Sequence, residues 1–259
     1  MEKRLKDRVA IVTGASRGIG RSIACALAKK GISVALVARS SEKLEEIKQV
    51  IEQNNGKALV VQSNLLEEDA VKSVIDKVQK ELGKVSILVN SAGRSGMASI
   101  NKTSIRTWNS VIKLNLTVPF EFIHLLIPHM REMDESWIIN ISSEASTVLC
   151  KNGGAYGVSK SAINRLTEEI DIENRDYNIH SVAICPGWVN TELSMDPELA
   201  KVSKDDILEP EVIADLVISI INQPSKVRIG PIIPITPIKE KASLVNSANE
   251  FFNKNKELV

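Results

Sequence analysis

A chain of 259 residues with 43 % hydrophobic and 25 % charged side chains has the makeup of a globular protein with room for one large α/β domain. Its 33 basic and 32 acidic residues leave a formal charge of +1, which excludes a global electrostatic pull toward nucleic acid or an anionic membrane. Three scattered cysteines, Cys25, Cys150 and Cys185, lack metal-ligand spacing and read as buried free thiols. The basic N-terminal stretch leads into too short an apolar run for a signal peptide or membrane span, so the cytoplasm is the expected compartment.

Short β-branched runs alternate with longer helical patterns, the rhythm of βαβ units in a parallel sheet. "RVAIVTG" (8–14) reads as a buried strand, followed by a helix from about Gly18 to Lys30. "ISVALVAR" (32–39) is the second strand, and "SSEKLEEIKQVIEQNNG" has a 3.6-residue period with a glycine stop. A strand at 57–63, a helix at about 67–82 and a strand at 85–93 follow. The pattern then predicts one long helix over 104–131, bent at Pro119, because a proline inside a helix removes a hydrogen bond and clashes with the preceding turn. "SWIINISS" (136–143) is the fifth strand, 154–176 a helix, and "IHSVAICPG" (179–187) the sixth strand. Residues 188–209 read as a polar, mobile loop, "PEVIADLVISIINQP" as a helix, and "VRIGPIIPITP" (227–237) as a last strand whose prolines place it at a sheet edge. No repeat or linker divides the alternation, so residues 1–259 read as one domain with a core at 8–237 and a polar tail at 238–259.

The loop "TGASRGIG" (13–20) follows the first strand and opens the first helix. Glycines at 14, 18 and 20 allow tight turning and close approach of the backbone to a pyrophosphate at a helix N-terminus. At the end of the second strand, where an acid would bind the ribose 2′-hydroxyl of NAD, the chain has Arg39 instead. Arg17 in the glycine loop can join it, since guanidinium groups match phosphate geometry. The expected cofactor is therefore NADP(H) in preference to NAD(H).

In "NGGAYGVSK" (152–160), Tyr156 and Lys160 lie four apart and so share one helix face. An ammonium beside the phenol is expected to lower its pKa toward neutrality, making it a proton donor to a carbonyl or an acceptor from an alcohol. Ser143 ends the fifth strand, at the carboxyl edge where open α/β sheets bind ligands. Asn115, inside the predicted long helix, can hold a water beside Lys160 with its side chain.

With "LVNSAG" and "CPGWVNT", this set of motifs resembles the short-chain dehydrogenase/reductase family from about Arg8 to Pro237. The resemblance implies a single-domain, Rossmann-type three-layer α/β sandwich with a seven-stranded parallel sheet and an oxidoreductase activity. It also implies a catalytic set in which Tyr156 is the acid/base, Ser143 orients the substrate oxygen, Lys160 binds the nicotinamide ribose and Asn115 completes a water-mediated proton relay. On the same grounds the cofactor contacts are Gly14, Ser16, Arg17, Gly18, Ile19, Gly20, Arg39, Asn64, Leu65, Asn90, Ala92, Gly93, Tyr156, Lys160, Pro186, Gly187, Val189 and Thr191. Two positions depart from the pattern. Asn64 replaces an acid expected near the adenine amino group, where its amide oxygen can still accept a hydrogen bond. Ser91 replaces the second residue of the usual Asn-Asn pair.

The expected substrate is a small carbonyl compound or secondary alcohol. Met97, Val148, Leu149, Cys150, Trp188, Leu193 and Met195 are the expected apolar pocket walls, with Arg94 either meeting an anionic group or pointing to solvent. The segment at 224–237 looks like the end of enzymes acting on small hydroxy acids and sugar-like alcohols. A 3-oxoacyl-carrier-protein reductase remains the alternative, and an NADPH-sensing regulator without turnover is a third reading. No metal, nucleic-acid or membrane partner is expected. The family likeness implies a homodimer or homotetramer through the helices at 104–131 and 154–176.

Overall fold

The computed structural model describes residues 5–194 and 203–239. Seven parallel strands form one sheet in the order β3-β2-β1-β4-β5-β6-β7. They are β1 (Val9–Thr13), β2 (Ser33–Ala38), β3 (Lys57–Gln62), β4 (Val85–Asn90), β5 (Ser136–Ile141), β6 (Ile179–Pro186) and β7 (Ile232–Ile235). β1, β4 and β5 are buried along their whole length, as expected of strands covered on both faces.

Side chains alternate between the two faces, and each face has its own core. Ala10, Val12, Leu36, Ile87, Val89, Ile139 and Ile184 pack with α1 (Gly18–Lys29), α2 (Ser41–Gln53) and α7 (Pro210–Ile221). Ile11, Val37, Leu88 and Ile138 pack on the other face with α3 (Ala70–Leu82), α5 (Val118–Met130) and α6 (Gly154–Asn174). The result is the three-layer Rossmann-type sandwich that the family likeness implies, on the parallel sheet that the alternating pattern predicts. The prolines of the last strand are accommodated because β7 pairs only with β6, so Pro234 lies at an open edge.

Two helices depart from their predicted limits. α3 starts at Ala70, because Asp69 adopts a left-handed conformation (φ 54°) that stops the helix from extending back to 67. The predicted helix over 104–131 is divided into α4 (Ile105–Ile112), a π-helical turn Lys113–Thr117, and α5. The irregularity precedes Pro119, which sits in the first turn of α5. Pro119 has no N–H to offer Asn115, the residue four before it, and its ring excludes the carbonyl there. The run Ile105–Met130 is long and apolar enough to cross a bilayer, with mean hydropathy 1.4. Here Phe122, Ile123, Leu126 and Met130 bury one side of it in the core.

Candidate active site

Because all seven strands are parallel, their carboxyl ends gather on one edge, and the order reverses between β1 and β4. That reversal opens a crevice suited to a ligand. Gly14 follows β1 with φ 67°, and a β-carbon there would lie 2.9 Å from the backbone of Ala92 after β4. A β-carbon on Gly20 would lie 2.4 Å from the Gly14 carbonyl oxygen. One on Gly18 (φ 51°) would lie 3.0 Å from the Thr191 methyl. These glycines therefore let three chain segments close around the N-terminus of α1. Thr13 fixes the join: its hydroxyl accepts from the N–H groups of Ser91 (3.1 Å) and Ala92 (3.0 Å). Backbone with no β-carbon, at a helix N-terminus on the sheet's carboxyl edge, fits a pyrophosphate.

The ends of β2 and β3 lie beside this loop. Arg39 is exposed, and its carbonyl accepts from the Gln62 side chain at 3.1 Å. Arg17 is also exposed, and neither arginine has an ion-pair partner among the described residues. Asn64 begins a tight turn: its Oδ1 accepts from the Leu66 N–H (3.4 Å), and its amide donates to Glu67 (3.0 Å). Leu65 is buried in the core, so its side chain anchors the turn, leaving its backbone as the group able to meet a cofactor. Ser16 is half-buried in the glycine loop.

A cavity of about 310 Å3 lies in the crevice. Of the residues singled out from sequence, Ile19, Gly93, Met97, Ser143, Tyr156, Lys160, Pro186, Gly187, Val189, Thr191 and Leu193 line it. Ser91, Ser95, Ser142 and Ser194 complete the wall and were not anticipated. Ser143 stands just past β5 and caps a short 3-10 turn, accepting from the Ala145 N–H at 3.2 Å. Tyr156 lies in the first turn of α6 and shares a hydrogen bond with Ser143. Gly154 makes this start possible, since a β-carbon there would meet the Ala98 carbonyl oxygen at 2.5 Å.

The electrostatics differ from the expectation. Burial raises the Tyr156 phenol above its ordinary 10, with the Ser143 hydrogen bond opposing that effect. Lys160 Nζ donates to the Ile141 carbonyl at 2.6 Å and lies 5.8 Å from the Tyr156 ring centroid. Buried with no carboxylate beside it, its ammonium is pushed down to about 8. In the protein alone the pair therefore favours a neutral phenol, not a phenolate.

Asn115 also behaves differently from its reading as a water holder. Its amide donates to the Arg94 carbonyl and to Ser159 Oγ, both at 3.0 Å, and its Oδ1 accepts from the Arg94 N–H at 2.9 Å. The side chain is thus a clamp between the loop after β4 and the helix carrying Tyr156. Its backbone carbonyl has no N–H donor four residues on, because that residue is Pro119. Ser159 in turn donates to the Tyr156 carbonyl at 2.7 Å.

Several expected contacts lie elsewhere. Arg94 is exposed and turns away, donating to Ser110 Oγ at 2.6 Å, so it presents no cation to the cavity. Trp188 is fully buried and belongs to the interior. Val148 and Leu149 are exposed and do not line the cavity, Leu149 at 95 % of its surface. Cys150 packs against Tyr156 and Met97 from behind the wall. Met195, the loop around it and the tail beyond Lys239 fall outside the described residues. Asn90 donates to Asn140 at 2.8 Å, and Asn140 to Thr167 at 2.9 Å, a buried tether from β4 to α6. Ser142 donates to the Lys160 carbonyl (3.1 Å), and Ser146 to that of Ser143 (2.5 Å). Asn90 belongs to the "LVNSAG" motif, whereas Asn140, Ser142 and Ser146 carry no sequence motif of their own. Only their place beside strand ends hints at them.

The family model described as short chain dehydrogenase matches residues 8–201. An uncharacterized oxidoreductase of Staphylococcus saprophyticus is 32 % identical over 231 residues, covering 88 % of this chain and 97 % of that one. The 7alpha-hydroxysteroid dehydrogenase of Clostridium sardiniense is 35 % identical over 227 residues, covering 83 % and 87 %. Among solved structures, a metagenomic short-chain oxidoreductase in complex with NADP superposes with a TM-score of 0.79 at 30 % identity, covering 90 % of this chain and 99 % of that one. An alcohol dehydrogenase of the archaeon Thermococcus sibiricus, complexed with 5-hydroxy-NADP, gives 0.78 at 27 % identity, with 88 % and 95 % covered.

Proposed function

The chain belongs to the short chain dehydrogenase family, and from that premise we propose that it interconverts a neutral, largely apolar ketone and its secondary alcohol with NADP(H) as preferred cofactor. As a member it is an oxidoreductase acting on carbonyl or alcohol groups with a nicotinamide dinucleotide. One observation carries the finer reading: Ser143, hydrogen-bonded to Tyr156, shares a cavity with Lys160 and with the Gly93, Gly187 and Thr191 segments of the dinucleotide crevice.

The glycine cradle of Gly14, Gly18 and Gly20 would hold the pyrophosphate, and Arg17 and Arg39 a 2′-phosphate. When bound, the nicotinamide supplies or accepts the hydride. Ser143 and Tyr156 donate hydrogen bonds to the substrate oxygen as it gains negative charge, and Tyr156 then transfers its proton. Lys160, held on the Ile141 carbonyl, would bind the nicotinamide ribose, and the Asn115 backbone carbonyl would hold a water from which the proton is replaced. The Lys160 ammonium, charged at neutral pH, would help bring the phenol down from its raised value in the complex. Among the described residues no charged side chain other than Lys160 lines the cavity, and Met97 and Leu193 line it too, which favours an uncharged apolar substrate over a hydroxy acid. The likeness to a hydroxysteroid dehydrogenase is in keeping with this.

The test follows absorbance at 340 nm with a panel of ketones, NADPH and NADH compared. Steady oxidation with NADPH supports the reading; cofactor binding without turnover on any ketone or oxoacyl thioester overturns it. Arg39→Ala is expected to raise KM for NADPH by about tenfold or more and to leave NADH nearly unaffected, the loss of a charge-assisted phosphate contact. Equal effects on both cofactors would contradict the assignment. Homodimeric or tetrameric assembly belongs to the same proposal. Phe120 and Leu125 on α5 and Val158 and Ile172 on α6 expose apolar surface, and sedimentation of Ile172→Glu should show weaker assembly than wild type.

A further inference from the structure

The π-helical turn Lys113–Thr117 stands between the two halves of the crevice, and side chains two apart on it face different ways. Asn115 reaches the catalytic half, where it clamps Arg94 and Ser159. Lys113 reaches the other half and donates from Nζ to the Leu66 carbonyl at 2.8 Å. Leu66 closes the turn after β3 that begins at Asn64.

That turn is fastened at few points. Leu65 enters the core, and within the turn Glu67 N–H donates to the Asn64 carbonyl at 2.9 Å. Beside the packing of Leu65, the bond from Lys113 is the side-chain hydrogen bond, among the described residues, that joins the turn to the helical layer. Lys113 is half-buried and has no ion-pair partner among the described residues, so its charge is directed at a backbone carbonyl. A cation partly removed from water and given to a loop carbonyl makes the loop's position depend on that side chain.

We propose that Lys113 is a positioning residue for the adenine end of the cofactor. It holds the Asn64–Leu66 turn in its binding shape while Asn115, on the same π-helical turn, holds the catalytic end. Cofactor affinity and turnover are thereby set from opposite sides of one short element. The proposal rests on dinucleotide binding but not on which dinucleotide is preferred.

Lys113→Met is expected to raise the Kd of NADPH, and equally that of the adenine-half fragment 2′,5′-ADP, by about tenfold. Binding of the nicotinamide-half fragment NMNH should stay as in wild type. kcat at saturating cofactor should fall far less than affinity. Lys113→Arg should restore most of the affinity, since a guanidinium can donate to the same carbonyl. Lys113→Ala, which also removes the donor, gives the same reading if the methionine variant does not fold. A Kd for NADPH and NADH that stays within about twofold of wild type in the variant lacking the donor overturns the proposal, as does a loss shared equally by NMNH. Wild-type protein that binds neither dinucleotide overturns the oxidoreductase reading itself, a result distinct from weakened binding in the variants alone.

Discussion

Tyr156→Phe is expected to lower kcat by about a thousandfold, the usual scale for removing a positioned acid/base. The ring remains, so packing against Ala145, Met97 and Cys150 is kept, and the change removes one hydroxyl and its hydrogen bond with Ser143. Stability should change by about 1 kcal/mol or less, and NADPH affinity by no more than about threefold. The pH dependence adds a directional check. Burial raises the phenol, so in the carbonyl-reducing direction the acid is already protonated at neutral pH and the rate should be flat there. Alcohol oxidation requires the phenolate and should rise with pH in wild type but not in the variant. A folded variant that no longer binds NADPH, or that keeps more than about a tenth of wild-type kcat, would show that the proton passes elsewhere.

What could be read from sequence and what could not follows the range of the forces involved. The glycine loop was legible because its requirement is local: a strand must turn into a helix within a few residues, and only glycine tolerates the conformations and contacts at 14, 18 and 20. The Tyr156–Lys160 pair was legible because a spacing of four fixes a common helix face. The same spacing says nothing about where a flexible ammonium ends, and the Ile141 carbonyl on β5 captured it. Arg94 was ambiguous for the same reason, since Ser110 and Asn115, which turn it away, lie on later elements. Trp188 follows a strand end as a pocket residue would. Yet a β-carbon on Gly187 would lie 3.0 Å from Pro237, so the returning chain closes over this turn and Trp188 is enclosed. Pro119 correctly marked a helix defect, but the defect spreads N-terminally, to the carbonyls that lose their donor. The seven-stranded sheet came from family likeness, and the order of its strands only from the structure. Alternation alone specifies parallel strands and leaves their lateral order open.

Lys160→Met should separate stability from function in opposite directions. In the nucleotide-free protein the Lys160 ammonium is buried, hydrogen-bonded to a single carbonyl, and pushed from its ordinary 10.5 down to about 8. Below pH 8 the group is charged in both folded and unfolded chains, so the folded state bears the full burial penalty, on the order of 3 kcal/mol. Between about pH 8 and 10.5 the folded protein has lost this proton while the unfolded chain still holds it, so wild-type stability must rise with pH across that window. Methionine fills a similar volume without charge. Leaving the Ile141 carbonyl without this donor costs about 1 kcal/mol, so the variant should be more stable at pH 7 by about 1–2 kcal/mol, or roughly 2–6 °C in Tm. Its advantage should shrink from pH 8 to 9.5. The Tyr156 phenol, raised above 10, stays protonated there and does not confuse the comparison. Activity should meanwhile be lost, because the ribose contact and the charge that assists Tyr156 are gone. Thermal melts of the two apo-proteins at pH 7 and 9.5 decide the matter. A methionine variant less stable than wild type at pH 7, with the same dependence on pH, would mean that the lysine is comfortably solvated and that its charge is not held at a cost for catalysis.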